Sequence, residues 1–470
     1  MDLSTLLALF ALIGGFYMAW NIGANDVANA MGTSVGSKAL TLKKAVILAA
    51  ILEFSGAFLV GSTVSHTIQH DIVDPSLFTG EPIVFVLGML GALLATGALL
   101  QIASYFGLPL STTHAIVGAV VGFGLVAGGL ESIKWIKISE IAASWIFSPL
   151  LSGILSYAIF SAIQKRILFA LNPLEATKKL APFFIFLCFF MISWSLFYGG
   201  LVQLDLNLSL PAALALCLGI SFSAAFLGSL YIKRSMLEFS IASGGAFLPQ
   251  QTVSLEKALH HLQRVYLGNQ NIEAHGKIAS LVHGVKELCT EAKKGDPFSQ
   301  SKKLYCGVEK IFVFLQILSA CLVAFAHGAN DVANAIGPMN AILSTLFGGS
   351  SAIPSWLLAF GGAGIVLGLA TWGWRVIETI GEKITELTPT RGFAAEFGAA
   401  ATVLLASKLG LPISTTHALV GAVFGVGMAR GLQALNLKTL KEIVISWIVT
   451  IPLCAILSMA VFLAFRFFFL

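Results

Sequence analysis

The octapeptide Gly23-Ala24-Asn25-Asp26-Val27-Ala28-Asn29-Ala30 returns letter for letter from Gly328 to Ala335. A second block behaves the same way: GLPLSTTHAIVGAVVGFG from Gly107 comes back as GLPISTTHALVGAVFGVG from Gly410. Ser144-Trp145 with Pro149 is echoed by Ser446-Trp447 with Pro452. The offsets, 305, 303 and 302, are nearly constant, which means two homologous halves. Any fold for this chain has to accommodate both.

Composition sets the medium in which it does so. Charged residues make up 11% of the 470, against about 25% in ordinary globular proteins, while AVILMFWYC reaches 57% and mean hydropathy is +0.88. No soluble core hides that much apolar surface, so a cytosolic enzyme, a nucleic-acid binder and a disordered scaffold are set aside. The chain reads as an all-α polytopic membrane protein. Apolar runs of about 20 residues, the length that crosses about 30 Å of hydrocarbon, can be drawn twelve times. They lie near 3–33, 45–64, 82–104, 109–130, 139–163, 181–200 and 209–231, then near 309–336, 353–373, 392–408, 411–430 and 443–466. The run at 109–130 reads as a crossing, with a re-entrant hairpin as the alternative. Met1-Asp2-Leu3 lacks a basic leader region, so the first run is expected to be retained.

Seven crossings before the second copy turn that copy upside down, the inverted-repeat plan that builds a site at the midplane between halves. The expected organisation is a first inverted repeat over 1–163, two intervening transmembrane helices over 164–231, a cytoplasmic loop over 232–308 and a second inverted repeat over 309–470. Eleven of the 28 Lys and Arg fall between 231 and 310. By the positive-inside rule that segment is cytoplasmic and both termini are extracytoplasmic, in a plasma (inner) membrane. Leu255, Leu259, Leu262 and Tyr266, then Ile278, Leu281, Val285 and Leu288, predict two amphipathic helices in the loop. The six cysteines sit singly and suggest neither a disulfide framework nor a zinc site.

Function is sought among polar residues inside the apolar runs, because burying Asn, Asp or Glu in hydrocarbon costs several kcal/mol unless it is paired. The first run is longer than one straight crossing needs, and a helix broken near Gly23 is predicted. Unwound carbonyls with Asn25, Asp26, Asn330 and Asp331 would form a hard-oxygen shell for a small cation such as Na⁺. The second motif reads as a helix start, with Pro109 or Pro412 near the first turn. Its free N–H groups and dipole suit an anion, with hydroxyls from Ser111, Thr112, Thr113, Ser414, Thr415 and Thr416. His114 and His417 can face either the site or a packing partner. Glu53 and Glu396 occur in one half each and are candidates for a further Na⁺ site or for proton coupling.

These residues, the duplicated GANDVANA and the duplicated GLP-x-STTH, resemble the inorganic phosphate transporter family called PiT. The resemblance covers both halves. It implies a symporter that moves phosphate inward with Na⁺ or H⁺, no cofactor, and a homodimer of transport and scaffold domains. It further implies that Asn25, Asp26, Asn330 and Asp331 sit at the substrate and cation site, with Ser111 to Thr113 and Ser414 to Thr416 around the anion. Glu53 and Glu396 match functionally important acids of the family. Three other readings compete: a sulfate or other oxyanion permease, an intramembrane enzyme using Ser111, His114 and Asp26, and an uncoupled channel or receptor. Full duplication disfavours the enzyme and buried acids disfavour the channel.

Overall fold

The computed structural model describes residues 2–108, 110–198, 208–235, 249–268, 272–294, 297–348, 352–374, 376–377, 388–431 and 437–470. Among these, every regular element is a helix, apart from one isolated antiparallel bridge between Val73 and Ile133. Apart from three short helical turns at Pro75–Phe78, Leu130–Ser132 and Gln164–Leu168, they are in chain order α1 (Leu3–Gly36), α2 (Leu42–Val60), α3 (Ser62–His70), α4 (Pro82–Tyr105), α5 (Thr112–Gly128), α6 (Trp135–Ile163), α7 (Pro173–Phe197) and α8 (Leu210–Ser235). Then come α9 (Pro249–Gly268), α10 (Ile272–Lys294), α11 (Pro297–Asp331), α12 (Ala333–Phe347), α13 (Ser355–Thr371), α14 (Pro389–Lys408), α15 (Thr415–Arg430) and α16 (Leu437–Phe469).

Among the described residues seven stretches are helical, long and apolar enough to span a membrane, and an eighth is the pair α2 and α3, bent by 63°. The protein is therefore an integral membrane protein. The run expected to cross at 109–130 is the 17-residue α5, about 25 Å long and short of the hydrocarbon thickness. α13 and α15, with 17 and 16 residues, are equally short. α5 and α15 lose length to a capped start, beginning only at Thr112 and Thr415.

The predicted break near Gly23 is absent. α1 is one α-helix of 34 residues through the whole octapeptide. In the second copy only Val332 separates α11 from α12, and its φ of −56° and ψ of −30° stay helical. The backbone needs no unwinding because the polar side chains find partners sideways. The glycine serves close approach instead. A Cβ on Gly23 would lie 1.9 Å from the carbonyl oxygen of Ile365 on α13, and one on Gly328 would lie 2.0 Å from that of Glu53 on α2. The partner helices answer with Gly368 against the Trp20 carbonyl and Gly56 against that of Phe325. Each octapeptide helix thus crosses the second helix of the other half backbone to backbone.

Contacts divide the chain into two units. The first, Met1–Ser161 with Ile185–Ala224 and Val313–Leu470, holds both copies of both motifs. In it α1 packs on α13, α4 and α12, and α16 packs on α5 and α4. The second unit is Ala162–Phe184 with Ala225–Phe312. It contains the two predicted amphipathic helices as α9 and α10, which pack on each other, with the Tyr266 and His275 rings 4.1 Å apart.

Candidate functional site

Asp26, Asn29, Asp331 and Asn334 are sealed from solvent in the first unit, no more than 1% exposed. On a helix, residues three apart share a face, so Asn29 comes round to Asp26 and donates from Nδ2 to its Oδ1 at 3.1 Å. The same Nδ2 donates to Thr416 Oγ1 of the opposite half at 2.8 Å. The mirror contact is present: Asn334 Nδ2 donates to Thr112 Oγ1 at 3.2 Å and to Thr113 Oγ1 at 3.3 Å. Thr415 Oγ1 donates to Asp331 Oδ2 at 2.8 Å.

Helix starts supply the other wall. Ser111 and Ser414 have extended backbones and cap α5 and α15, each Oγ accepting from the N–H of His114 or His417 at 3.2 Å. Pro412 precedes the cap instead of occupying the first turn, and Pro109 lies outside the described residues. The threonines at the first two helical positions keep their backbone N–H groups free of backbone partners among the described residues. Thr113 Oγ1 donates to the carbonyl of Ile413, fastening the two starts together at 3.0 Å.

His327, one residue before the second octapeptide, binds this centre together. Its Nε2 stands 2.9 Å from Asp331 Oδ2 and 3.9 Å from Asp26 Oδ2, and its Nδ1 stands 3.3 Å from Glu53 Oε2. An imidazole facing carboxylates from both nitrogens can serve both only as an imidazolium, or with one carboxyl protonated. Ligand atoms of Asp26, His327 and Asp331 all lie within 4.8 Å of one another, close enough to share an ion. Several buried acceptors have no hydrogen-bond partner among the described residues: Asp26 Oδ2, Asp331 Oδ1, Asn29 Oδ1, Asn334 Oδ1 and both oxygens of Glu53. Orphaned oxygens in a sealed place call for a cation or a proton. The unpartnered oxygens of this set, from carboxylates and amides, fit a hard cation, with the His327 imidazole beside them and no sulfur in the group.

The remaining expected residues fall elsewhere. Asn25 and Asn330 use their amide hydrogens on the Gly-Leu-Pro turns. Glu396 lies apart, beside Thr33, about 10 Å along α1 from Asp26. It accepts from Thr33, from Ser34 Oγ at 2.7 Å, from Ser319 Oγ at 2.6 Å and from Gln316 Nε2 at 3.3 Å. Replacing Glu396 with Ala leaves those hydroxyl and amide donors without their acceptor, and a loss of about 1–3 kcal/mol is expected. Glu396→Gln keeps an acceptor and should lose less, as comparative thermal melting will show. His114 and His417 pack on each other, with centroids 4.3 Å apart, and on Trp145 and Trp447 at 3.9 and 3.4 Å. Their rings serve as an aromatic stack.

Three residues here were not singled out from the sequence. Asn29 and Asn334 were visible one turn past each aspartate. His327 was a lone histidine in an apolar run, and its counterpart Ile22 carries no polar signal.

The profile of a family described as the phosphate transporter family matches residues 22–458. The chain is 45% identical over 459 residues to the chloroplastic inorganic phosphate transporter 2-1 of Arabidopsis thaliana, covering 96% of this chain and 71% of that one. It is 44% identical over 465 residues to a protein of Chlamydia pneumoniae named as a phosphate permease, covering 98% of both. A solved structure titled the sodium-dependent phosphate transporter superposes with a TM-score of 0.79 at 37% identity, over 98% of this chain and 99% of that one.

Proposed function

We propose, from the premise that this chain belongs to the phosphate transporter family, that it imports inorganic phosphate by symport with a cation, Na⁺ before H⁺. The carrying observation is the juxtaposition of two sealed aspartates, with oxygens left unpartnered, and two capped helix starts rich in hydroxyls. Carboxylates facing a phosphate repel it, so cations bound at Asp26 and Asp331 neutralise the cluster before the loaded carrier reorients. Asn29 and Asn334 lend amide oxygens to the cation and reach the threonines that cradle the anion. Thr112, Thr113, Thr415 and Thr416 hold phosphate by hydroxyl and N–H groups, with Ser111 and Ser414 fixing the helix starts. No Arg lies in either motif, so the anion is held without a guanidinium clamp and can be released.

Two inverted halves in a twelve-span plan, each bringing one acid and one helix start, give the alternation its geometry. Glu53 takes part through His327, and Glu396 holds α1, α11 and α14 together. The same reading places both termini outside, the central loop inside the cell, and the chain in a homodimer.

The sulfate alternative differs in one bond. Phosphate carries a proton and can donate to Asp26 or Asp331, whereas sulfate at neutral pH cannot. In proteoliposomes holding the purified protein, labelled phosphate is expected to accumulate, and about a hundredfold excess of sulfate should leave most of that uptake intact. Sulfate that competes on equal terms would remove phosphate as the substrate.

A further inference from the structure

Each octapeptide carries one asparagine whose partners all lie at the end of one helix, and on the turn after it, in its own half. Asn25 Nδ2 donates to Ser104 Oγ and to the Leu108 carbonyl, both at 3.0 Å, and its Oδ1 accepts from the N–H of Leu110 at 3.1 Å. Asn330 Nδ2 donates to Ser407 Oγ at 3.0 Å and to the Leu411 carbonyl at 3.3 Å, and its Oδ1 has no partner among the described residues. Ser104 and Ser407 end α4 and α14 and are almost fully buried. The chain then reverses through Gly107 and Gly410, whose φ values of +66° and +67° suit glycine. The reversal is tied by the same two bonds in each half: Gly107 N–H to the Ser104 carbonyl and Leu108 N–H to that of Ala103, with Gly410 to Ser407 and Leu411 to Ala406. Ser407 also donates to the Val403 carbonyl at 2.9 Å, which turns an oxygen lone pair toward Asn330.

We propose that Ser104 and Ser407 are positioning residues that, with Asn25 and Asn330, clip each acid-bearing helix to the turn launching the Ser-Thr-Thr start of the same half. Aspartate and threonine hydroxyls that meet one ligand then stay in one rigid half-site. The partition of contacts carries this inference. Every bond of the two clips lies within a half, whereas Asn29 to Thr416, Asn334 to Thr112 and Thr113, and Thr113 to Ile413 all join the halves. A rearrangement that parts Asn29 from Thr416, or Asn334 from Thr112 and Thr113, can leave the bonds of both clips whole. Two copies of a serine that touches neither acid, each accepting from the amide of its half's asparagine at 3.0 Å, have this positional use in common.

The inference rests on the phosphate-transport reading, and its test separates the two. Uptake of labelled phosphate into proteoliposomes is measured for the wild-type chain, Ser104→Ala, Ser407→Ala, Asn330→Ala and the Ser407→Ala/Asn330→Ala double variant. Ser104→Ala leaves Asn25 two of its three bonds, and Ser407→Ala leaves Asn330 one of two. The phosphate KM should rise about threefold in the first and about tenfold in the second, with the maximal rate within about twofold and thermal melting preserved. The double variant should match Asn330→Ala alone, because both substitutions open the same clip. An unchanged KM in both serine variants, or effects that multiply in the double variant, would overturn the proposal. If Ser407→Ala does not reconstitute, Ser104→Ala with Asn25→Ala makes the same comparison. Absence of uptake by the wild-type chain would instead sink the transport reading.

Discussion

Asp331→Asn is expected to lower phosphate uptake at least about a hundredfold while the protein still folds and inserts. The substitution keeps shape and removes charge at the point where the halves meet. Asp331 Oδ2 accepts from Thr415 and faces His327, which also faces Asp26 and Glu53, and Asp331 Oδ1 is left over for a ligand. Removing one partner from a sealed set of charges costs about 3–5 kcal/mol in comparable cases, which corresponds to at least a hundredfold in an equilibrium. Asp26→Asn should act in the same direction and somewhat less strongly, because Asp26 stands 3.9 Å from the ring against 2.9 Å for Asp331. Uptake by the Asp331→Asn protein at the wild-type rate would remove the cation assignment altogether. Helical content and melting, measured on the same preparations, separate lost binding from lost fold.

The second large effect concerns the scaffold. Gly328→Val and Gly368→Val each place atoms where a carbonyl already stands, since even a Cβ would lie 2.0 Å from the Glu53 oxygen or 1.8 Å from the Trp20 oxygen. The obstacle is backbone and cannot swing aside as a long side chain would. A cost at or above the roughly 3 kcal/mol upper range of overpacking is expected, seen as a sharp fall in folded yield and melting temperature. Gly219→Val is the control, because nothing lies within 4 Å of the Cβ position there. Equal yields of Gly328→Val and Gly219→Val would show that the crossings tolerate separation. Uptake should fail in the crossing variants even where some protein folds, because Gly328 and Gly23 stand beside Asn330, Asp331, Asn25 and Asp26 and set where they lie.

Much of this was legible before any coordinates. Duplication named the two acids and the two helix starts, although it marks packing and turn residues such as His114, His417, Asn25 and Asn330 in the same way. The helix break near Gly23 failed because a glycine followed by Asn and Asp in an apolar run reads two ways. Local chemistry alone suggests unwinding, and the packing partner, a carbonyl on a helix some 300 residues away, decides for close approach. Asymmetric residues were the hardest. His327 has Ile22 as its counterpart, and Glu53 and Glu396 also lack acidic counterparts, so repeat comparison gives them no support. Only geometry separates the two acids: Glu53 reaches the centre through His327, while Glu396 is held by Ser34, Ser319 and Gln316 elsewhere. Asn25 and Asn29 look alike in the motif and share a face of α1, and their different uses follow from their places one turn apart along it: Asn25 meets Ser104 and Leu108 of its own half, and Asn29 meets Thr416 of the other.

The most direct measurement is labelled phosphate uptake into proteoliposomes under an imposed inward Na⁺ gradient, compared with an imposed proton gradient at equal membrane potential. Accumulation is expected to be driven by Na⁺ and to be lost in Asp331→Asn. Uptake that follows the proton gradient alone, indifferent to Na⁺, would contradict the assignment of Asp26 and Asp331 to Na⁺.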